Sequence, residues 1–160
     1  EMLHRITESK FVWINTNMQR LPLNKVIGKL PEYATIDVVG GGQQRRVGLL
    51  GLNTNDPKSY TDSAWGGLGS GCIDPILPTA KAFQDRLISQ GFDVVVPMTH
   101  QTIQEDRIMA KDMDCLPVMI GGHDHDPYDE IVNGTRILKM GSDAQRIGIT
   151  DLIWPTAASP

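Results

Sequence analysis

Three of the four histidines in the sequence lie just beyond the ends of two apolar runs. The run at positions 94–98 is followed by a threonine and His100, and the run at positions 116–120 is followed by two glycines, His123 and His125. If both runs are parallel strands of one sheet, they end at the edge where open α/β sheets bind ligands. Imidazole nitrogen binds zinc, iron, manganese and similar metals. The pattern therefore predicts a metal site formed by His100, His123 and His125.

The neighbours of these histidines are candidates for supporting a metal site. Gly122 lets the backbone turn sharply and approach an ion or a phosphate closely. Thr99 and Asp124 carry oxygens that can orient the imidazoles, although Asp124 can equally be a solvated turn residue, as we expect for Asp126. Two histidines separated by one residue in an extended segment point the same way, about 6–7 Å apart. That separation suits ligands on two adjacent ions better than two ligands on one ion.

The sequence before position 94 has the pattern of a helix. Asp74 has the residue type of an N-cap, and Pro75 that of a first helical position. Apolar residues then recur at helical spacing, and Gly91 is placed to end the helix. The run at 94–98 is apolar without alternation, as expected of a strand that is buried on both faces.

A second helix is predicted between the two apolar runs. It begins either at Thr102, which can form a capping box with Glu105, or at Asp106, and it extends to about residue 111. Strands and helices thus alternate as βαβαβ from residue 47 to residue 120, a series that gives parallel strands with right-handed crossovers. The fold class is therefore α/β.

Other segments have the pattern of antiparallel strands. Residues 35–39 and 45–52 flank three glycines and predict a hairpin, and residues 130–138 predict a second hairpin around an Asn-Gly turn of type I′. Apolar residues alternate in the segment 146–154, which we expect to add an antiparallel strand. Residues 11–14, rich in aromatic and β-branched side chains, are a further strand candidate.

Composition narrows the class of protein. The 160 residues carry a net charge of −4, which argues against a basic face for a nucleic-acid duplex. No apolar stretch approaches the roughly 20 residues of a membrane span. Cys72 and Cys115 are far apart in the sequence and are interpreted as two buried free thiols, with a disulfide as the alternative.

These residues carry a resemblance to a known family. Gly-Gly-His-Asp-His at 121–125, with Thr-His at 99–100, resembles the closing half of a calcineurin-like metallophosphoesterase, nearest to the 5′-nucleotidase / 2′,3′-cyclic phosphodiesterase branch. The segments 13–17, 46–52, 74–76 and 96–110 resemble further stretches of that branch, in the same order. The resemblance covers about residues 1 to 154 and implies half of a four-layer metallophosphoesterase sandwich.

The resemblance implies a role for each histidine. His100 and His123 would bind one divalent ion of a dimetal centre, and His125 would bind the other, the metals being manganese, zinc, iron or similar. The two ions would clamp a phosphate ester, of nucleotide type in this branch, and lower the pKa of a bridging water. Asp106 would cap a helix rather than touch a metal.

Three family motifs are missing from the sequence: Asp-x-His, Gly-Asp-x-x-Asp and Gly-Asn-His-Glu/Asp. We therefore expect residues 1–154 to be the back portion of a catalytic domain, residues 155–160 to be a tail or linker, and this chain to hold no catalytic residue. The isolated chain would be an incomplete metallophosphoesterase, inactive, and would expose apolar surface through which it can self-associate.

Two other hypotheses remain open. The chain can be a non-catalytic metal-binding or interaction module on a βαβ scaffold. It can also be a structural piece whose histidines are satisfied by hydrogen bonds. The hydrolase and the metal-binding module both require the three imidazoles to converge on one pocket. If the imidazoles point apart, the metal assignment fails for both hypotheses.

Overall fold

The computed structural model describes residues 2–21 and 30–154, and a six-stranded mixed sheet runs through them. The sheet order is β1-β2-β3-β4-β6-β5. The four inner strands pair in parallel, and the two outer strands pair antiparallel to their neighbours. The strands are β1 Tyr33–Gly40, β2 Gln43–Asn53, β3 Val94–His100, β4 Val118–Gly121, β5 Pro127–Val132 and β6 Thr135–Met140.

Helices make the crossovers between the parallel strands. Helix α1 is Met2–Glu8, α2 is Ile76–Ser89 and α3 is Ile103–Asp112. Between β2 and α2 the chain forms short helical turns at Pro57–Ser59, Ala64–Gly67 and Gly69–Cys72. Because α2 joins β2 to β3 and α3 joins β3 to β4, the predicted βαβαβ series and the α/β fold class are confirmed.

The central strand β3 is buried on both faces, as its unbroken apolar run predicts. Val95 packs in the main core together with residues of α2 and α3. Val94 and Val96 point to the opposite face, where they pack with Val118 and where Leu152 and Trp154 partly cover them. The sheet therefore carries helices on one face and a thinner cover of chain on the other.

Both predicted hairpins are confirmed. The first turns at Gly41 and Gly42, whose φ angles are 57° and 75°. The second turns at Asn133 and Gly134, with φ angles of 50° and 82°. Positive φ at both central residues is the requirement of a type I′ turn, which explains the Asn-Gly pair.

The start of α2 differs from the prediction by one position. Pro75 is the N-cap, with φ −57° and ψ 137°, and the first helical residue is Ile76. Asp74 does not cap the helix, because its carboxylate pairs with Arg20 at 2.7 Å and its N–H donates to Asn17 O at 2.8 Å. The helix ends as predicted near Gly91, whose φ is 86°.

At α3 the structure decides between the two predicted starts. Thr102 is the N-cap, and it forms a reciprocal capping box with Glu105. The expectation that Asp106 caps a helix is therefore wrong. Its side chain is fully buried and is turned away to other partners, described below.

Two predicted strands are wrong. Residues 11–14 are not in the sheet, and Phe11 and Val12 are both 69% exposed. Residues 146–154 are also outside the sheet, although Ile147, Ile149 and Ile153 alternate as in a strand and are 84–87% exposed. Alternation alone does not make a strand, because a strand needs a neighbour to receive its hydrogen bonds.

The expectations for the two cysteines and for the C-terminal tail have different outcomes. Cys72 is a buried free thiol as expected, but Cys115 is exposed, with a φ of 62° in the turn before β4. The predicted tail 155–160 lies outside the described residues. Within residues 2–21 and 30–154 no helix has the length and apolar character needed to cross a membrane.

Candidate metal centre at the ends of β3 and β4

The register of β3 against β4 brings the two histidine-bearing loops together. Thr99 pairs with Gly121, so His100 and the Gly122–His123 segment leave the sheet at the same edge. The rings of His100 and His123 are in contact, with centroids 5.1 Å apart and planes at 83°. The structure thus juxtaposes the two imidazoles that the family resemblance would place on one metal ion.

Gly122 and Thr99 join the two loops. The N–H of Gly122 donates to Thr99 O at 2.7 Å. A Cβ on Gly122 would lie 3.3 Å from Nδ1 of His100, so a larger residue would crowd the ring. Thr99 does not contact an imidazole through its side chain in the described structure; its hydroxyl donates to Asp106 Oδ1 at 2.8 Å.

His123 stands in an unusual backbone conformation. Its φ is 77°, and the N–H of Asp124 donates to Gly122 O at 3.1 Å across it. A positive φ at the centre of an i→i+2 hydrogen bond defines the rare, strained form of the γ-turn. Such strain persists only where the surrounding structure imposes it, and it is concentrated at functional sites.

The environment of His100 favours its neutral form. Burial lowers the pKa of His100 below its ordinary value, and the nearby charges of His123 and Lys139 lower it further, against the opposing effect of Asp124. A neutral imidazole keeps a nitrogen lone pair that can bind a metal. The electrostatics of this edge therefore suit a ligand.

His125 does not join the pair. Its side chain is exposed, as is that of His100, and no ring contact within the described residues joins it to His100 or to the partly exposed His123. Across residues 2–21 and 30–154 there is no group of three or more histidine, cysteine or acidic side chains placed to hold one ion. The assignments of His100, His123 and His125 as metal ligands stay predictions.

Sequence reasoning missed the residue at the centre of this edge, Lys139 on β6. Its side chain is completely buried, and its ammonium donates to Gln101 O at 2.6 Å, Gly122 O at 2.8 Å and Asp124 Oδ2 at 2.5 Å. It also lies 2.8 Å from Asp106 Oδ2. A signal was present: Lys139 is two residues from Ile137, so the strand period directs it to the helix-covered face.

Asp106 is the buried counter-ion of this lysine. Its Oδ1 accepts from Thr99 Oγ1 and Gln101 Nε2, both at 2.8 Å, and its Oδ2 faces the ammonium. Gly121 makes room for the pair, since a Cβ there would lie 2.8 Å from Cε of Lys139 and 3.1 Å from Asp106 Oδ2. Glycine at 121 is thus required by packing beside the lysine.

An apolar groove opens beside His100. It has a volume of about 330 Å³, and its lining includes Trp13, Trp65, Leu52 and Met98. The larger cavity, about 860 Å³, lies away from the histidines, between the sheet and the segment 147–154. The larger cavity has no histidine among the described residues that line it, whereas His100 lines the groove. The groove is therefore the better candidate for a ligand site next to a metal.

Asparagine and threonine side chains fix the chain that forms one wall of the groove. Asn17 donates to Asn53 O and Asp74 O, both at 2.7 Å, and accepts from the N–H of Asn53. Thr16 accepts from the N–H of Gly51 at 2.9 Å. These bonds hold residues 16 and 17 against the end of β2, although residues 11–14 lie outside the sheet.

Comparison with known proteins gives the fold. No family model and no curated protein matches the sequence. Among solved structures, sulfate thiohydrolase SoxB of Thermus thermophilus is similar over 88% of this chain and 25% of its own, with 18% identity and a TM-score of 0.66. The calcineurin-like phosphoesterase YfkN of Bacillus subtilis is similar over 86% of this chain and 48% of its own, with 16% identity and a TM-score of 0.64.

A putative 5′-nucleotidase of Staphylococcus aureus is similar over 88% of this chain and 29% of its own, with 13% identity and a TM-score of 0.66. The chain thus spans a quarter to a half of the length of these three proteins. The predicted resemblance is confirmed at the level of the fold: the chain has the α/β architecture of part of the phosphoesterase and nucleotidase structures.

Proposed function

We propose that this chain is part of a metal-dependent hydrolase that acts on phosphate esters of nucleotide type. His100 and His123 would bind one ion of a dimetal centre, and His125 would bind the other. The observation that carries the proposal is the contact between His100 and His123, at the sheet edge where parallel strands end, in a phosphoesterase-like fold. The similar structures include 5′-nucleotidases, and this favours nucleotide substrates.

The residues present fit part of a dimetal centre. His100, whose lowered pKa favours the neutral imidazole, and His123, whose ring contacts it, together offer two nitrogen donors to one ion. When bound, a divalent ion would polarise the phosphate and supply a hydroxide nucleophile near neutral pH. Thr99, Gly122 and Asp124 then support the site through the loop geometry rather than by touching an ion.

Carboxylate ligands would have to come from other parts of the protein. Two acidic groups beside the histidine-bearing loops, Asp106 and Asp124, both face the ammonium of Lys139. Carboxylates held in this way are not free to bridge two metal ions. This supports the proposal that the isolated chain contributes histidines only and contains no catalytic residue.

The open face of the sheet supports the assignment of residues 1–154 to the back portion of a catalytic domain. Ile36, Val38 and Ile120 lie on the face away from the helices and are 43–46% exposed. Exposed apolar side chains on one face of a sheet are suited to packing against a further layer. Without that layer, self-association through this face is part of the proposal.

A hydrolysis assay tests the incomplete-enzyme proposal. The isolated chain, incubated with Mn²⁺ or Zn²⁺ and 4-nitrophenyl phosphate, is expected to show no turnover above that of the metal alone. A longer parent protein that carries Asp-x-His, Gly-Asp-x-x-Asp and Asn-His motifs before residue 1 is expected to be active. Metal-dependent turnover by the 160-residue chain would contradict the proposal, and light scattering on the same sample would report self-association.

The alternative is a metal-binding or interaction module without hydrolysis. The exposed position of His125 and the lack of a three-ligand group among the described residues favour it. The sequence of a longer parent protein would distinguish the two functions, because only the hydrolase requires the carboxylate motifs that are missing here. A parent that binds metal but lacks those motifs would favour the module.

A further inference from the structure

The ammonium of Lys139 contacts both histidine-bearing loops at once. On the β3 side it donates to the backbone oxygen of Gln101, the residue after His100. On the β4 side it donates to Gly122 O and Asp124 Oδ2, which flank His123. All three of its protons are therefore used on these loops.

The fourth neighbour of the ammonium anchors it to the core. Asp106 Oδ2 lies 2.8 Å away but receives no hydrogen bond, which agrees with an ammonium whose three protons are already donated. Both side chains are fully buried, so the attraction between them is poorly screened by solvent. Asp106 is in turn fixed by Thr99 and Gln101, on either side of His100.

The bonds of Lys139 also explain the strained turn at His123. The oxygen of Gly122 and the side chain of Asp124 are the first and third positions of the γ-turn, and one ammonium binds both. A buried cation between these oxygens holds the turn closed. Without it, the weak i→i+2 hydrogen bond and the bond from the N–H of Gly122 to Thr99 O would have to maintain the positive φ of His123.

We propose that Lys139 is a positioning residue: its buried ammonium locks the γ-turn at His123 and sets the imidazole of His123 against that of His100. Its effect on metal affinity rests on the proposed function, whereas its effect on the ring contact does not. A lysine that served only to stabilise the sheet would not need to bind oxygens of both loops.

The test compares two variants with two matched controls. Lys139→Met removes the ammonium, and Asp124→Ala removes one oxygen of the turn while the pair of Lys139 with Asp106 remains. Arg136→Met changes an exposed residue of the same strand, and Asp126→Ala changes an exposed residue of the same loop. The nuclear Overhauser effect between the His100 and His123 rings, amide exchange at Asp124 and Zn²⁺ affinity are measured on folded protein.

Lys139→Met and Asp124→Ala are expected to lose the ring-to-ring signal, to speed exchange of the backbone amide at position 124 relative to its intrinsic rate, and to weaken Zn²⁺ binding about 10- to 100-fold. The controls are expected to match the wild type. If Lys139→Met fails to fold, Asp124→Ala decides. A retained ring contact and unchanged exchange would overturn the role of Lys139. If the wild type binds no Zn²⁺, the proposed function fails, while the ring contact and exchange still decide the role of Lys139.

Discussion

Replacing Asp106 by Asn is expected to lower the free energy of unfolding by about 3 to 5 kcal/mol. The carboxylate is fully buried; one oxygen accepts two hydrogen bonds and the other faces the Lys139 ammonium at 2.8 Å. Asparagine can keep the first set of bonds only by turning its NH₂ group towards the ammonium. A donor would then face a cation in the core, where neither can reach water.

Urea unfolding of the variant measures this effect. The matched control is Asp37→Asn, which weakens an exposed pair with Arg46 on the β1–β2 hairpin and is expected to cost about 0–1 kcal/mol. Equal and small losses for both variants would show that the buried pair contributes no more than an ordinary surface ion pair.

Replacing Ile137 by Ala is expected to cost about 2 to 5 kcal/mol. Ile137 has no exposed surface and packs with Met119 in the core cluster under α2 and α3. Removing its outer carbons leaves a cavity beside β6, which lies between β4, the strand that leads into His123, and the edge strand β5.

The partner strand of the same hairpin supplies the control. Ile131 on β5 is 70% exposed, and Ile131→Ala is expected to change the free energy of unfolding by less than about 1 kcal/mol. Both variants are measured by urea unfolding at one temperature. A loss at Ile137 as small as that at Ile131 would contradict the assignment of the core to the helix-covered face.

Local sequence signals predicted much of the fold. The unbroken apolar run of β3, the Thr102–Glu105 capping box and the Asn133-Gly134 turn each carry their own stereochemical cause. From these elements followed parallel strands whose following loops can be neighbours, and the structure brings His100 and His123 into contact there.

Features that depend on distant partners were not predicted. The alternating isoleucines of 146–154 have the period of a strand, yet no strand forms where nothing pairs with them. Asp74 and Asp106 have the residue type of helix caps, but each has a partner distant in sequence, Arg20 and Lys139. A local pattern cannot show that a distant cation competes with the helix end for the carboxylate.

The sequence pointed to the candidate site's histidines and to three neighbours, Thr99, Gly122 and Asp124, but not to Lys139. The His-x-His spacing indicated ligands, and the glycines indicated a tight turn. The buried Lys139 comes from the last strand of the sheet, and only the fold brings it beneath the turn at His123. The oxygens that surround its ammonium belong to three separate parts of the sequence, so no single sequence motif could contain them.

The most direct test of the account is Zn²⁺ binding by isothermal titration to the 160-residue chain and to three single variants: His100→Ala, His123→Ala and His4→Ala. His4 lies exposed on α1 and serves as the control for loss of any imidazole. The account predicts that His100→Ala and His123→Ala each weaken binding by more than about 10-fold, while His4→Ala leaves it unchanged. Wild-type affinity in both His100→Ala and His123→Ala would contradict it.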